Sequence, residues 1–390
     1  MNRRACIVRQ AHGYELPLRR EAEALRDAGF DVTVVALRGR GEPGREHVDG
    51  VEIRRLPLTR RRAGRLRYLW DYSSFFLWAS VMVAWMHLRR RFTLVQVNTM
   101  PDLLVFVGLV PRLTGARLVA FMKEPTPELG DTLYGSRRVT RALETVERWA
   151  IKSADLVFTV TDDLKERLVA RGADPAKIHV VLNVPDPRSL ELRVPAPAHD
   201  RSTFTAICHG SIEERYGHDT IVRAAALVRE EISGFRVRIL GRGEHVPEVV
   251  GLIDELGLVD VVQYVGWLPH DDMLRELHAA DVGIVAQKSS PYSNLVHTNK
   301  MFEYMLVGKP AIVSRLAAVS RTVPDDTIQY FEPDDPRDLA DALVKLHRDP
   351  GRVAELVANG TRFSRDLGWD RQRAVYLDAI HRLLAVQPPG

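Results

Sequence analysis

The chain has 390 residues, of which 45% are hydrophobic and 27% charged, and it carries a formal net charge of +4. That length accommodates two domains of ordinary size with a core each, and that composition excludes a disordered chain except at the ends. The basic residues are not accompanied by a nucleic-acid motif, which excludes nucleic acid as a partner, and two cysteines, Cys6 and Cys208, are too few for a disulfide framework.

The N-terminus has basic residues but no apolar segment ahead of its first strand, so no secretory signal is expected and the cytoplasm is the expected compartment. Cys6-Ile7-Val8 predicts a short strand, and the residues around His12-Gly13-Tyr14 predict a loop. Arg19 to Ala28 predicts a helix stopped by Gly29, and Val32 to Leu37 predicts a second strand. Strand, loop, helix and strand in this order form a right-handed βαβ unit. The plan continues with strands predicted at Leu94 to Val97, Arg117 to Phe121 and Leu156 to Val160, separated by helical stretches.

Between the second and third of these strands lies an apolar stretch from Tyr68 to Leu88, with Trp70, Trp78 and Trp85 and a single acid, Asp71. Arg60-Arg61-Arg62, Arg65 and Arg67 precede it, and Arg89-Arg90-Arg91 follows. The uncharged run falls slightly short of the ~20 residues of a membrane span. Tryptophans and basic flanks suit an interfacial helix, half packed on the first domain and half against lipid headgroups, so peripheral membrane contact through 68–91 is expected. An ordinary core helix is the alternative.

Pro185, Pro187, Pro195 and Pro197 mark a linker, after which the plan restarts. Phe204 to Cys208 predicts a strand, Gly210 to Gly217 a loop and Asp219 to Glu230 a helix. Strands are predicted at Arg236 to Leu240, Val261 to Tyr264, Val282 to Val285 and Ala311 to Val313. Each is a short apolar run of the kind a fully buried parallel strand shows. The expected fold is α/β, with two doubly wound Rossmann-like domains facing across a cleft and ligands bound beyond the carboxyl ends of strands.

The most informative segment runs from Asn294 to Ser314. A polar run, Asn294 to Asn299, leads into a short helix with Met301, Phe302, Met305 and Leu306 around one acid, Glu303. Gly308 stops the helix, Pro310 bars its continuation, and Ala311 begins the next strand. The N-terminus of such a helix faces anions, and Lys300 stands in its first turn. Arg215 sits just before another helix, in a segment opened by the small residues Gly210 and Ser211. A guanidinium clamps two phosphate oxygens at once. Arg215 and Lys300 together would neutralise a diphosphate without a metal, unless each is merely a solvated surface cation. No histidine pair has metal spacing, and the paired acids at Asp162-Asp163, Asp271-Asp272, Asp325-Asp326 and Asp334-Asp335 sit where caps are common. No metal or cofactor is expected.

At this point the chain resembles the family 4 retaining nucleotide-sugar glycosyltransferases (glycosyl transferases group 1) of GT-B fold. The likeness rests on Arg19-Arg20-Glu21-Ala22-Glu23-Ala24-Leu25 with Gly29 to Val34, on Val95 to Asp102, on Gly115 to Val119, and on Pro127-Glu128 with Glu147-Arg148-Trp149. Its strongest part is Lys300 to Met305 followed by Gly308-Lys309-Pro310. The resemblance implies an acceptor-side domain at 1–185, a linker at 186–200, a donor-binding domain at 201–365, and a C-terminal helix at 369–386 crossing back onto the first domain. It also implies that Glu303 is the second of two glutamates with seven residues between them, the one that holds the ribose hydroxyls. Arg215 and Lys300 would face the diphosphate and stabilise the leaving charge. Gly13 and Gly210 would admit close backbone approach, Thr298 and Asn299 would donate beside the β-phosphate, and Trp267 and Leu268 would lie by the base.

Two departures from the family pattern stand out. Leu295 occupies the place of the first glutamate, so Asn294 or His297 is expected to contact the sugar instead. Lys123-Glu124 stands where many members carry His-Asp, on the sugar and acceptor side with His12, and Lys123 is a candidate for contacting phosphate. The implied reaction is retaining transfer from a nucleotide-diphosphate sugar to an acceptor. A lipid-linked glycan intermediate of cell-surface polysaccharide assembly at the inner face of the cell membrane is the first choice of acceptor, and a small natural product the second. A nucleotide-sugar epimerase of the same plan, or a non-catalytic nucleotide-sugar-binding partner, is the alternative.

Overall fold

A computed structural model describes residues 3–12, 16–39, 41–58, 65–192 and 202–385, of which 12, 16–17 and 65–69 are described in their backbone alone. The chain forms two compact units, Met1–Asn183 with Asp370–Gly390, and Val184–Trp369.

The first unit runs β1 (Arg3–His12), α1 (Leu16–Asp27), β2 (Phe30–Leu37), β3 (Arg45–Val48), β4 (Val51–Leu56), α2 (Arg65–Arg90), β5 (Leu94–Thr99), α3 (Leu109–Leu113), β6 (Arg117–Met122), α4 (Thr126–Tyr134), α5 (Arg137–Ser153), β7 (Leu156–Thr159), α6 (Asp162–Ala170) and β8 (Ile178–Val180). Its sheet has the order β3-β4-β2-β1-β5-β6-β7-β8. All pairs are parallel except the β3–β4 hairpin, which turns through Asp49 and Gly50 at φ 49° and 79°. Both of those angles lie in the left-handed region that a two-residue hairpin turn needs. The sequence reading passed over this hairpin and β8.

The second unit runs β9 (Phe204–Ser211), α7 (His218–Val228), β10 (Phe235–Arg242), α8 (Val246–Glu255), β11 (Val262–Gly266), α9 (His270–Ala279), β12 (Val282–Val285), α10 (Asn299–Leu306), β13 (Ala311–Ser314), α11 (Ala317–Thr322), β14 (Gln329–Phe331), α12 (Pro336–Arg348) and α13 (Pro350–Asp366). Its parallel sheet has the order β11-β10-β9-β12-β13-β14. Ala206, Cys208, Ile239, Val282, Ile284 and Ile312 are buried between the flanking helices, which is why these strands read as continuous apolar runs. In both sheets the order reverses beside the first strand, at β1/β5 and at β9/β12. Such a switch point opens a crevice at the strand carboxyl ends.

Two expectations about boundaries shift. Gly210 and Ser211 belong to β9, where they pair with Gly241 and Arg242, and the loop begins only after them. The start of the expected linker packs within the second unit: Val184 and Leu190 are buried, and a ring nitrogen of His270 donates to the Ser189 carbonyl at 2.7 Å. Residues 193–201 lie outside the described residues. The last helix, α14 (Trp369–Ala385), packs on the first unit, where Tyr376 is fully buried and its hydroxyl donates to Gln96 Oε1 at 2.7 Å.

Helix α2 is two-faced. Phe75, Ala79, Val83 and Met86, at helical spacing, are buried, while Trp70, Leu77, Trp78, Val81, Trp85 and Leu88 are exposed. The Arg89 guanidinium lies 4.3 Å from the Trp85 ring centre, and Arg90 pairs with the buried Glu52. Arg60, Arg61 and Arg62 lie outside the described residues. Among the described residues no helix is long and apolar enough to cross a membrane. A cavity of about 240 Å³ lies beside the buried edge of α2, lined mainly by Tyr72, Phe76, Leu103, Leu104, Leu143 and Val146.

Candidate functional site

Strand β9 delivers His209 and Gly210 to the switch point of the second sheet. Gly210 has φ +109°, and a Cβ there would lie 2.6 Å from Lys300 Cε, so only glycine leaves the lysine its place. Past the strand, the segment carrying Arg215 turns at Gly217, at φ +62°, with an imagined Cβ only 1.9 Å from the Ala286 carbonyl oxygen. The loop after β12 ties this turn down from the other side. The Lys288 N–H donates to the Arg215 carbonyl at 2.9 Å, and Lys288 Nζ donates to Asp219 Oδ2 at 2.9 Å. Gly217→Ala therefore combines a clash with left-handed strain. We expect it to cost roughly 1–3 kcal/mol in a denaturant titration. An unchanged midpoint would show that the turn has room to relax.

Helix α10 brings the second set of groups. The Thr298 hydroxyl caps its first turn by accepting from the Lys300 N–H at 3.4 Å. Met301, Phe302, Tyr304 and Met305 are buried, which turns Lys300 and Glu303 to the other side. Gly308, at φ +73°, ends the helix with Gly308 N–H to Met305 O at 3.1 Å and Lys309 N–H to Tyr304 O at 2.9 Å. This pair of bonds is a Schellman cap. The Tyr304 ring lies against Gly283 of β12, where a Cβ would stand 2.2 Å from it.

The two cations meet over one aromatic ring. Lys300 Nζ is 4.1 Å and Arg215 Cζ 4.8 Å from the centre of Tyr216. Enclosure pushes the Lys300 ammonium down to about 8; Cys208 and Glu303 pull it back up, and Arg215 adds to the fall. Beside them Glu303 is only partly exposed, and its Oε2 lies 2.6 Å from His209 Nε2. Burial works to raise the Glu303 carboxyl, but the His209 hydrogen bond and the nearby charges of His209, Lys300 and His270 hold it below its ordinary value. Several buried polar atoms here accept or donate nothing within the protein: Arg215 Nε, His218 Nδ1, Asn299 Oδ1 and both ring nitrogens of His297. Such orphans are costly and mark a place where a polar ligand would be received. Burial holds His218 and His297 neutral, down to about 3 and about 4.

The structure thus gathers Gly210, Arg215, Thr298, Asn299, Lys300 and Glu303 at one edge of the second sheet. Trp267 and Leu268 follow β11 along the same edge, Trp267 60% exposed with the Arg242 guanidinium 5.4 Å from its ring centre. Asn294 is occupied by its own loop and the start of α11: Nδ2 donates to Ser289 Oγ and Ser290 O, and Oδ1 accepts from the Ala317 N–H. Leu295 is buried, and His297 stands edge-on to Phe302 at 5.3 Å. In the first unit Lys123 is no surface lysine. Its Nζ contacts Glu21 Oε1 at 2.6 Å, and the fully buried Glu21 also accepts from Asn98 Nδ2 at 2.6 Å and Gln96 Nε2 at 2.8 Å. Burial pushes Lys123 down to about 8, against the pull of Glu21. Glu124 follows it, half-buried. Gly13 lies outside the described residues, and His12 is described in its backbone alone.

Sequence reasoning gave no role in this site to His209, Tyr216 or Tyr304. Only the aromatic residue between Arg215 and Gly217 offered a local signal.

Residues 12–183 match the family described as Glycosyl transferase 4-like domain, and residues 203–349 match Glycosyl transferases group 1. A D-inositol 3-phosphate glycosyltransferase of Thermomonospora curvata is 24% identical over 322 residues, which cover 77% of this chain and 69% of that protein. Other curated relatives are spanned over little more than half their length, 56% and 57% in two cases. Among solved structures, sucrose-phosphate synthase from Thermosynechococcus elongatus superposes with a TM-score of 0.79 at 19% identity, covering 99% of this chain and 100% of that one. Anabaena Alr3699/HepE in complex with UDP-glucose gives 0.70 at 15% identity, covering 98% and 100%. Likeness at these identities establishes the shared two-sheet fold.

Proposed function

The chain belongs to the group 1 glycosyltransferases of GT-B fold, and from that premise we propose that it transfers a sugar from a nucleoside-diphosphate sugar with retention of configuration and without a metal ion. The observation that carries this reading is the convergence of Lys300 and Arg215 on Tyr216, beside the carboxylate of Glu303. Two fixed cations next to the N-terminus of α10 suit a diphosphate, and an adjacent carboxylate suits the hydroxyls of a ribose. The nearby structure in complex with UDP-glucose favours a donor of that class.

Charge movement dictates the mechanism. Breaking the sugar–phosphate bond puts negative charge on the diphosphate and positive charge on the anomeric carbon. Cations already in place stabilise the leaving group without reorganisation. A departing phosphate oxygen takes the acceptor proton, and attack comes from the face the diphosphate leaves, so no protein nucleophile is assigned. A chelator is expected to leave the rate unchanged; activity abolished by the chelator and restored by a divalent ion would overturn the metal-free reading.

For the acceptor we propose a lipid-linked glycan intermediate reached from the inner face of the membrane. The exposed apolar stripe of α2 and the apolar cavity beside it support this choice. Replacing Trp78, Trp85 and Arg89 by serine should lower sedimentation with anionic vesicles severalfold. Arg90 is left in place because, with Arg45 and Arg54, it holds the buried Glu52, so its loss would disturb the fold as well as the membrane contact. Unaltered sedimentation would remove the membrane contact. A small phosphorylated acceptor is the second reading, favoured by the name of the inositol-phosphate relative.

The deciding experiment incubates the protein with a panel of nucleotide sugars, once with membrane extract and once with small polyols and their phosphates. Sugar transfer supports the proposal and shows which acceptor class is used. Donor isomerisation alone would make the chain an epimerase, and binding without turnover a non-catalytic partner.

A further inference from the structure

We infer that His209 is a positioning residue: backed by Tyr304, it holds the Glu303 carboxylate in the one orientation that receives the hydroxyls of a bound ribose. The inference rests on the ribose reading of Glu303 given above and extends it to a residue that makes no contact with the donor.

The geometry is a closed chain of polar contacts. His209 Nε2 lies 2.6 Å from Glu303 Oε2, and His209 Nδ1 lies 2.9 Å from the Tyr304 hydroxyl. That hydroxyl is also 3.2 Å from the Ile207 carbonyl oxygen, two residues before His209 on the same strand. A carboxylate only accepts, so Nε2 carries the proton that faces it. The arrangement at Nδ1 does not alter this. If Tyr304 donates to Nδ1, the ring is neutral with its proton on Nε2; if Tyr304 donates to Ile207, both ring nitrogens carry protons. In either case one oxygen of Glu303 is held and the other stays open. His209 is 5% exposed and Tyr304 is fully buried, their rings meeting edge-on at 5.2 Å, so the brace is rigid. Gly283 leaves the space in which the Tyr304 ring is seated.

The brace matters more here because Leu295 contributes no second carboxylate. An unsupported glutamate on a helix surface would have to be ordered by the ligand, at the expense of affinity. A side chain fixed beforehand avoids that loss. The charged and titratable groups that face Glu303 are His209 from β9, Lys300 from its own helix and His270 from α9, with the Tyr304 hydroxyl beyond His209. Removing His209 takes away the strongest influence favouring the ionised carboxyl.

The test uses the full-length protein and measures binding of UDP, GDP and ADP by calorimetry, then repeats the tightest with its 2′,3′-dideoxy form. His209→Ala should weaken the ribonucleotide about tenfold and the dideoxynucleotide by less than twofold. His209→Gln, which can still present an N–H to Glu303, should recover most of the loss. In Glu303→Ala, adding His209→Ala should have no further effect, because the two act as a unit. The acid limb of ribonucleotide binding should also move to higher pH in His209→Ala. If that variant fails to fold by circular dichroism, Tyr304→Phe, which removes the group backing the imidazole, carries the same comparison of ribonucleotide with dideoxynucleotide. Equal weakening of both nucleotide forms, or of neither, would overturn the positioning role. If Glu303→Ala leaves ribonucleotide binding unchanged, the ribose assignment falls and this inference with it. If no nucleoside diphosphate binds the wild type, the donor reading itself is wrong.

Discussion

Replacing Lys300 with alanine is expected to lower the turnover number for sugar transfer by about 10²–10³-fold, with a smaller change in the affinity for the intact donor. The reason is the timing of charge. Before reaction the diphosphate charge is shared with the glycosidic bond, and as that bond breaks the leaving oxygen gains charge that a fixed ammonium stabilises. One preorganised contact of this kind is worth about 3–4 kcal/mol. Arg215→Ala should show a loss of the same order. The two effects should fall short of additive, because both cations rest on the face of Tyr216 and the removal of one lets the other shift. Lys300 also supplies a pH signature. Its folded value is depressed from 10.5 to about 8, so the free enzyme loses this charge as pH rises through that range. The kcat/KM for the donor, which reports the free enzyme, should fall above pH about 8. That limb should vanish in Lys300→Arg, since a guanidinium stays charged throughout. A Lys300→Ala enzyme with wild-type turnover would place the diphosphate elsewhere.

Glu303→Ala is expected to weaken donor binding by roughly tenfold to a hundredfold while leaving the chemical step of bound donor much less affected. Hydrogen bonds to a charged group contribute about 1.5–3 kcal/mol, and the ribose hydroxyls are distant from the bond that breaks. Truncation also leaves the buried His209 ring facing a void, which adds to the loss. The sign of the pH effect is opposite to that of Lys300. The Glu303 carboxyl is held below its ordinary 4.5, so it stays ionised as pH falls past that value, and donor affinity should persist there in the wild type. Binding by equilibrium dialysis from pH 7 down to pH 4 checks that persistence. Donor affinity unchanged in Glu303→Ala would remove the ribose contact.

Most of what defines the fold was legible along the chain, because its signals are local. Val282 to Val285 and Ala311 to Ser314 are unbroken apolar runs, and such runs occur where both faces of a parallel strand are covered. Gly308 reads as a helix stop because left-handed backbone is open to glycine and the peptide geometry needs nothing distant. The Asp49-Gly50 turn was equally local, and it was passed over because the strand it precedes, Val51–Leu56, carries two arginines and a glutamate one strand in from the sheet edge and lacks an apolar alternation. Arg215, Lys300 and Glu303 could be singled out for the same reason as Gly308: each stands at a fixed offset from a helix start.

What the chain order did not contain is the partner of each of these groups. Glu303 and His209 are 94 positions apart, and Lys123 and Glu21 are 102 apart. Lys123 read as a candidate for contacting phosphate because a lysine is rarely buried with an acid, and only the packing of α1 against the sheet encloses it beside the fully buried Glu21. The ring of Tyr216 becomes a common seat for two cations only once the loop after β9 and the start of α10 are brought to the same sheet edge. The amino-acid sequence by itself determined where strands, helices and charged loop positions fall, since propensity, periodicity and backbone sterics act over a few residues. The tertiary structure alone decided which charges are buried, which are paired and which carboxyl oxygen is held, since those depend on the register of strands and helices that the chain order leaves far apart.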